Sequence, residues 1–212
     1  MTTEERKPLS RVEGLRLDEM TGNEKLLATI QSTYGRPPNS FTTLGRVPAL
    51  LDAVGQLSLV VLAAGEVDVE TKWLVANVAS RAAGCSYCSA HTGFHSVKTG
   101  GAPPEKVAAV WEFESSPIFS DAERAALRLA LVASVVPNQA TAAHFDELRA
   151  HFSDTGIVEI VAVISLFGFM NRWNDTMATE LEDPEHDFAQ RHMAASGWRP
   201  KPRDAERGDA RQ

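Results

Sequence analysis

The chain has 212 residues, of which 43% are hydrophobic and 23% charged, and its formal net charge is -7. That length accommodates one large domain or two small ones with a sizeable core, and the composition is ordinary for a soluble globular protein. The acidic balance argues against a nucleic-acid partner, because proteins that bind the phosphate backbone concentrate basic residues in a stripe. The one basic cluster here lies in the C-terminal tail.

The sequence shows no pattern of an export signal or a membrane span. Its N-terminus, "MTTEERKPLSRVEGLRL", lacks the apolar core of a signal peptide. The apolar stretch "GIVEIVAVISLFGF" is shorter than the roughly 18 residues that a membrane span needs, and it includes Glu159. We therefore expect a cytoplasmic protein without a membrane partner. In that compartment a lone C-x-x-C motif is more often catalytic or metal-binding than structural.

The first half of the chain has helical periodicity. Residues 1–20 predict a loosely held N-terminal arm ahead of a helical domain at residues 21–195. Within that domain, "NEKLLATIQSTYG" predicts a short amphipathic helix that stops at Gly35, and "RPPNSF" predicts a turn. Apolar spacing then predicts a helix ending near "AAGEVD" and another in "VETKWLVANVASRAAGC", which Gly84 would end. A further helix is predicted in "SYCSAHTGFHSVKTGG".

The second half continues the helical pattern. A short helix is predicted in "PEKVAAVWEF", and the next helix opens on Ser120 with Glu123 three residues later, which is a capping box. "TAAHFDELRAHF" predicts another helix, and the apolar segment after it predicts the longest, central one. From Asp183 onward the sequence is polar, and residues 196–212 predict a flexible tail. No strand pattern is visible, so we expect an all-α bundle, with a weak indication of two duplicated helical hairpins.

Both cysteines of the chain lie in "AGCSYCSAHTGFH", followed by two of its six histidines. A helix that starts near Cys85 would place Cys88 and His91 along one stripe. A helix N-terminus favours the nucleophilic thiolate, and an imidazole, with a pKa of about 6.5, can carry a proton at neutral pH. Two thiols and a histidine are the components of a peroxide-reducing or disulfide-exchanging site. His95 lies a turn further on and is expected to be a capped or surface residue.

A metal site and simple core packing are the alternatives for the same residues. Cys85, Cys88, His91 and His95 also spell C-x2-C-x2-H-x3-H. Ten residues of straight helix span about 15 Å, however, so all four cannot converge within about 2.0–2.3 Å of one ion. Two or three of them could hold a metal only with help from elsewhere, and we expect neither a metal nor a cofactor. Buried packing remains possible, since cysteine is a common core residue.

These motifs resemble those of the carboxymuconolactone decarboxylase and alkylhydroperoxidase family, the AhpD-like all-helical proteins. The resemblance rests on "WLVANVASRAAGCSYCSAHT", "PPNSFTTLGRVPALLDA" and "FSDTGIVEIVAVISLFGFMNRWND", which cover most of residues 35–182. It implies a homo-oligomeric helical bundle that reduces a hydroperoxide substrate with electrons from a dithiol donor protein. It also implies that Cys88 attacks the peroxide, that Cys85 resolves the sulfenic acid as a disulfide, and that His91 carries the proton.

The chain departs from this pattern at one position. Peroxidase members usually carry a relay glutamate twelve residues before the first cysteine, and that position here is Trp73. The indole is only a hydrogen-bond donor, so it cannot relay a proton. The nearest carboxylate, Glu70, lies three residues earlier on the same helix face and is our candidate substitute. The departure keeps two other readings open: a decarboxylase-like enzyme that uses a histidine or carboxylate, and a non-catalytic oligomer whose cysteines are silenced or sense redox state.

Two further groups of polar residues are candidates of lower specificity. Asn171, Arg172, Asn174 and Asp175 end the long apolar helix. They form either a helix-end cap or one wall of the thiol pocket, where an arginine would stabilise a thiolate. His144 and His151 lie one seven-residue step apart on a polar helix and are expected at the surface or an interface.

Overall fold

The structure, a computed structural model, describes residues 10–201, and within that range it contains helices and turns but no strand. The predicted all-α fold is therefore confirmed. Two short 3-10 turns, at Leu17–Glu19 and Val110–Glu112, accompany the α-helices. These are α1 (Glu24–Tyr34), α2 (Asn39–Leu44), α3 (Pro48–Val61), α4 (Val69–Ala82), α5 (Ser86–Lys98), α6 (Pro104–Ala108), α7 (Asp121–Ala133), α8 (Ala142–Arg149), α9 (Asp154–Met177) and α10 (Asp183–His192).

Several helices begin and end where the sequence predicts. Gly35 follows α1 with a φ of 90° and Gly84 follows α4 with a φ of 74°, conformations that glycine adopts without the penalty of a Cβ. The capping box at α7 is present, because Ser120 accepts from the Glu123 backbone N–H while the Glu123 carboxylate accepts from the Ser120 N–H. The turn at Gly84 reverses the chain, so that α4 and α5 pack against each other as a hairpin.

Helix α4 is at the centre of the core. Every residue from Thr71 to Ser80 is buried, and α4 packs against α5, α7 and α9. With 24 residues and a most apolar 18-residue window of mean hydropathy 1.5, α9 is long and apolar enough to cross a membrane by length and composition alone. It is longer than the apolar run that the sequence analysis considered. Its contacts with α3, α4, α5, α7 and α8 are those of the core helix that the sequence predicts.

The structure differs from the predicted boundaries in three places. Part of the predicted turn before residue 41 is helical, because α2 begins at Asn39 directly after Pro38. Part of the predicted N-terminal arm is packed: Met20 is buried, and the Leu15 N–H donates to the Thr42 carbonyl at 2.8 Å. Residues 196–201 of the predicted flexible tail are also held by hydrogen bonds to α5.

Residues 196–201 lie against the start of α5. The indole of Trp198 is buried, and its Nε1 donates to the Ser86 carbonyl oxygen at 3.0 Å. The Lys201 N–H donates to the Ser86 hydroxyl at 3.2 Å. A large aromatic side chain with a satisfied N–H explains why this polar segment is held. Residues 1–9 of the predicted arm and 202–212 of the predicted tail lie outside the described residues, and the hairpin duplication stays a prediction.

Candidate active site

A cavity of about 110 Å³ lies between α1, α2, α3, α4, α5, α9 and α10. Its wall is mainly apolar and aromatic, and it contains one of the two cysteines and two histidines of α5. Such a small apolar space with few polar groups is typical of a site for a small molecule. The residues that line it are Ile30, Tyr34, Arg36, Pro38, Ser40, Phe41, Ser58, Leu62, Trp73, Tyr87, Cys88, His91, His95, Leu166, Phe167, Met170, Asn174 and Glu185.

The two thiols occupy different positions at the start of α5. Cys85 is the N-cap residue, and its Sγ accepts a hydrogen bond from the Cys88 backbone N–H at 3.3 Å. Cys88 is one turn further along and lines the cavity, whereas Cys85 lies outside the lining residues. Both thiols are free and buried. The cysteine that can meet a molecule in the cavity is therefore Cys88, and Cys85 is behind it.

An amide from the end of α9 contacts the thiol in the cavity. The Nδ2 of Asn174 donates to the Sγ of Cys88 at 3.3 Å. Burial, and then the neighbouring Cys85, raise the pKa of the Cys88 thiol well above its usual range, while Asn174 acts in the opposite direction. The Oδ1 of Asn174 is buried without a hydrogen-bond partner among the described residues. Arg172, considered from the sequence as the thiolate-stabilising group, is exposed instead.

His91 is hydrogen-bonded to a carboxylate that the sequence analysis did not consider. Its Nε2 lies 2.6 Å from the Oε2 of Glu182, and the two side chains are only 14% and 5% exposed. The other carboxylate oxygen accepts from the Asn39 backbone N–H at 2.6 Å and from the Tyr87 hydroxyl at 3.2 Å. Burial alone raises the pKa of Glu182, but His91 and the Asn39 N–H outweigh it, so that the pKa is lowered overall. Glu182 is therefore an ionised, fixed partner for the imidazole.

The structure places Glu70 away from His91. Its carboxylate accepts from Lys106 Nζ at 2.6 Å, and Glu70 is not among the residues that line the cavity. The negative charge of Glu70 is thus paired with the positive charge of Lys106, and Glu70 does not contribute to the site that contains the thiols. Trp73, at the position of the usual relay glutamate, does line the cavity and stacks on His95 with ring centroids 5.1 Å apart. The carboxylate beside the predicted proton carrier is that of Glu182.

His95, predicted as a capped or surface residue, is buried in the cavity wall. Its Nδ1 lies 3.0 Å from the Thr99 hydroxyl. Burial, followed by the nearby charges of His91 and Lys98, lowers the pKa of His95 to about 3, so the ring is neutral at physiological pH. Glu185, on α10, is buried nearby and forms an ion pair with Arg36.

The residues that sequence reasoning missed come from beyond the long helix. Glu182 is the last residue of the segment predicted as the long apolar helix, and Glu185 lies in the stretch classed only as polar; Glu182 is 91 positions from its partner His91. No spacing rule connects residues that far apart. One local signal was available: Glu182 precedes Asp183 and Pro184 at the start of α10, and a proline in the first turn is typical of a helix N-terminus.

Comparisons with known proteins agree with this geometry. The family model of the carboxymuconolactone decarboxylase family matches residues 48–132. The structure of the debrominase Bmp8 has 32% sequence identity and a TM-score of 0.79, over 86% of this chain and 96% of that one. The chain belongs to the carboxymuconolactone decarboxylase family. Its AhpD-like fold is also that of a peroxidase-related protein from Ralstonia eutropha JMP134, with 23% identity and a TM-score of 0.73 over 86% of this chain and 96% of that chain.

Two further relatives complete the comparison. A cysteine-to-alanine variant of Bmp8 in complex with 2,3,4-tribromopyrrole aligns with the same identity and TM-score as the apo protein, over 84% of this chain and 95% of that one. The uncharacterized protein YnjA of Escherichia coli (strain K12) is 36% identical over 93 residues, or 44% of this chain. The chain thus matches about half of the length of YnjA.

Proposed function

We propose that this protein is a dithiol reductase that uses Cys85 and Cys88 to deliver two electrons to a small apolar substrate, with an organic hydroperoxide as the leading candidate. The observation that carries the proposal is the position of Cys88 in the wall of an apolar cavity, with Cys85 directly behind it. The thiol of Cys88 can contact the substrate, and the thiol of Cys85 is shielded from it. This arrangement suits a sulfenic acid intermediate that a second thiol converts to a disulfide.

The reaction proceeds in two steps. The Cys88 thiolate attacks the outer oxygen of the hydroperoxide, the O–O bond breaks, and the alcohol leaves after receiving one proton, while Cys88 becomes a sulfenic acid. The Cys85 thiol then attacks the Cys88 sulfur, a disulfide forms, and water leaves. The peroxide is reduced by two electrons and the thiol pair is oxidised by two. A dithiol donor protein restores the thiols by disulfide exchange.

His91 and Glu182 supply the proton transfers. The raised pKa of Cys88 means that the resting thiol is protonated, so a base must take its proton when substrate binds. His91 is one turn further along α5, and the carboxylate of Glu182 holds its ring in place. Asn174 stabilises the thiolate through its Nδ2, and its unpaired Oδ1 can accept the O–H of a hydroperoxide. Glu182 thus serves as the relay carboxylate, a role that the indole of Trp73 cannot fill.

Reductive dehalogenation is a second candidate, favoured by the similarity to Bmp8 over nearly the full length of that debrominase. The aromatic wall suits a flat ring, since Trp73, Tyr34 and Phe167 surround the same space as Cys88. In this reaction an aryl halide and two thiols give the dehalogenated ring, a disulfide and a hydrogen halide. The halogen leaves the ring for Cys88, a proton replaces it on carbon, and Cys85 displaces halide from sulfur.

We also propose that a second copy of the chain covers an apolar surface on α3 and α9. Those two helices pack against each other, and side chains on both are exposed. The surface consists of Leu57, Val60, Val158, Val161 and Phe169, which are 36–73% exposed. Apolar and aromatic side chains of this kind are typical of homodimer interfaces.

Intact mass after thiol alkylation tests the thiol chemistry. The reduced protein is treated with one equivalent of an organic hydroperoxide or of a brominated pyrrole, and the remaining alkylatable thiols are counted. We expect the loss of both thiols with the hydroperoxide and their return with dithiothreitol. Thiol loss with bromide release, seen only with the brominated pyrrole, would favour the second candidate. If neither compound oxidises the thiols, and if they alkylate only after the protein is unfolded, both reductase proposals are wrong. The non-catalytic interpretation, in which the cysteines only pack in the core, would then be favoured.

Two variants make that experiment specific. Cys88→Ser is expected to abolish the reaction, and persistence of the reaction in this variant would contradict the proposal. His151→Ala is the matched control, because His151 is an exposed histidine on another part of the surface. It should oxidise at the rate of the unmodified protein.

A further inference from the structure

We propose that His91, His95 and Glu185 form a binding site for a divalent first-row transition metal ion such as Zn²⁺. One nitrogen from each ring and one carboxylate oxygen lie within 4.8 Å of one another. All three residues line the cavity. This site goes beyond the proposed thiol reaction, because neither thiol is one of its ligands; the two share only His91, which can accept a proton from Cys88 when no ion is bound to it.

The three ligands come from two helices that are held together. His91 and His95 are one turn apart on α5, so their rings lie on the same face, with centroids 6.2 Å apart. Glu185 comes from the first turn of α10, which packs against α5. Ligand atoms around a tetrahedral zinc ion are about 3.4 Å apart, given bonds of about 2.1 Å. Small side-chain rotations therefore bring the three donors from their present positions to a common ion. This is the help from elsewhere in the chain that the sequence alone did not reveal.

Each histidine has one ring nitrogen paired with a side-chain oxygen. Nε2 of His91 donates to the ionised carboxylate of Glu182, and Nδ1 of His95 lies against the hydroxyl of Thr99. Because a carboxylate only accepts, the Nε2 of His91 carries the proton and its Nδ1 keeps the lone pair in the neutral ring. The Thr99 hydroxyl holds the ring of His95 and can accept from its Nδ1, which leaves Nε2 for an ion. Histidines that bind metals nearly always have a partner of this kind, most often a carboxylate, a carbonyl or water.

The environment of His95 and Glu185 also suits a metal. Both residues are buried, and neutral imidazole is the form that coordinates. Arg36 now pairs with Glu185 through Oε2 and leaves the second oxygen, Oε1, for an ion. Arg36, at the mouth of the cavity, is therefore a competitor for the same carboxylate rather than part of the site. Its removal should strengthen metal binding.

The donor set selects the class of ion. Two imidazoles and one carboxylate suit zinc and its first-row neighbours better than calcium or magnesium, which prefer oxygen ligands. Three protein ligands leave one tetrahedral position open, as in catalytic rather than structural zinc sites. Because all three ligands line the cavity, water or a substrate oxygen from that space would be the fourth ligand.

The test is a Zn²⁺ titration of the full-length chain carrying Cys85→Ser and Cys88→Ser, in competition with a chromophoric chelator. Without its thiols the protein should still bind one equivalent of Zn²⁺. Replacement of a ligand, as His95→Gln or Glu185→Gln, should weaken binding by more than about 100-fold. Arg36→Met should instead strengthen it, and His151→Gln, a change at an exposed histidine, should leave it unchanged.

Binding that does not saturate at one equivalent, or that His95→Gln leaves unaltered, overturns the proposal. If His95→Gln fails to fold, as its thermal unfolding would reveal, Glu185→Gln and Arg36→Met still decide, because they predict changes of opposite sign. The test is independent of the thiol reaction, since both cysteines have been replaced. Loss of metal binding would leave the proposed reductase intact, and a failed reductase assay would leave the metal site intact.

Discussion

Replacement of Glu182 by glutamine is the sharpest perturbation of the proposed proton relay, because it removes the charge and keeps the shape. The amide oxygen can still accept from the Asn39 N–H and the Tyr87 hydroxyl. The amide nitrogen must then face Nε2 of His91, so that two donors meet unless the imidazole changes its tautomer. The change therefore acts on the orientation and basicity of His91 with little effect on the packing around it.

The expected magnitude follows from the burial of the pair. Because the two side chains are 14% and 5% exposed, solvent screens their interaction little. A hydrogen bond to a charged group contributes about 1.5–3 kcal/mol, which corresponds to a rate factor of about 10–150. We expect the second-order rate constant for Cys88 oxidation by an organic hydroperoxide to fall by a factor in that range. Quenched-flow alkylation followed by mass measurement provides the rate.

A pH series separates the catalytic effect from a structural one. The pKa of Glu182 is lowered in the folded protein, so its ionised form stabilises the fold above the ordinary carboxyl pKa, about 4.3, and this contribution is lost as pH falls through the lowered value. Stability should thus fall less steeply in acid for Glu182→Gln than for the unmodified chain. An oxidation rate within twofold of the unmodified protein at neutral pH would refute the relay.

Three further outcomes are expected. Asn174→Leu removes the hydrogen bond to the thiol, so the pKa of Cys88 should rise further and its alkylation at pH 8 should slow about tenfold, whereas Arg172→Ala should change neither. Equal rates for both variants would count against this role. In the unmodified protein, alkylation of Cys88 should keep rising with pH beyond about 9.5, which is about one unit above the ordinary thiol pKa of about 8.5 and is where an ordinary thiol levels off; a plateau at or below that pH would show a thiolate that burial does not disfavour. Val60→Glu places a charge on the exposed surface of α3 and should lower the mass found by sedimentation to that of a monomer, unless copies associate elsewhere.

Local signals made most of the fold predictable. Gly35 and Gly84 end helices because their backbone conformations suit only glycine, and Ser120 with Glu123 begins one by satisfying free N–H groups. Each of these signals acts within a few residues of sequence. The thiols and His91 were visible for the same reason, since they share one short motif.

The rest of the site depends on contacts between distant segments. Glu182 reaches His91 only because α9 ends at Met177 and the chain turns back towards α5. No local sequence pattern around either residue predicts this contact. Glu70 was attractive from the sequence because it is one turn from Trp73, but Lys106 takes up its charge. His95 was expected to be a capped or surface residue, and it is buried because the rings of Tyr34 and Trp73, from two other helices, pack against it.

The wall of the cavity comes from two parts of the sequence, one inside and one outside the segment that the family model matches. The segment that the family model matches, residues 48–132, contributes the reactive groups, Cys88, His91 and His95. Most of the remaining wall comes from outside that segment, from α1 and α2 on one side and from α9 and α10 on the other. The reactive thiol and most of the surrounding wall therefore lie in separate stretches of the sequence, although Asn174, which contacts Cys88, belongs to the outer part. Under the proposed function, we expect substitutions at the outer wall positions that do not contact Cys88 or His91 to change which molecule fits the cavity while the thiol pair keeps its reaction.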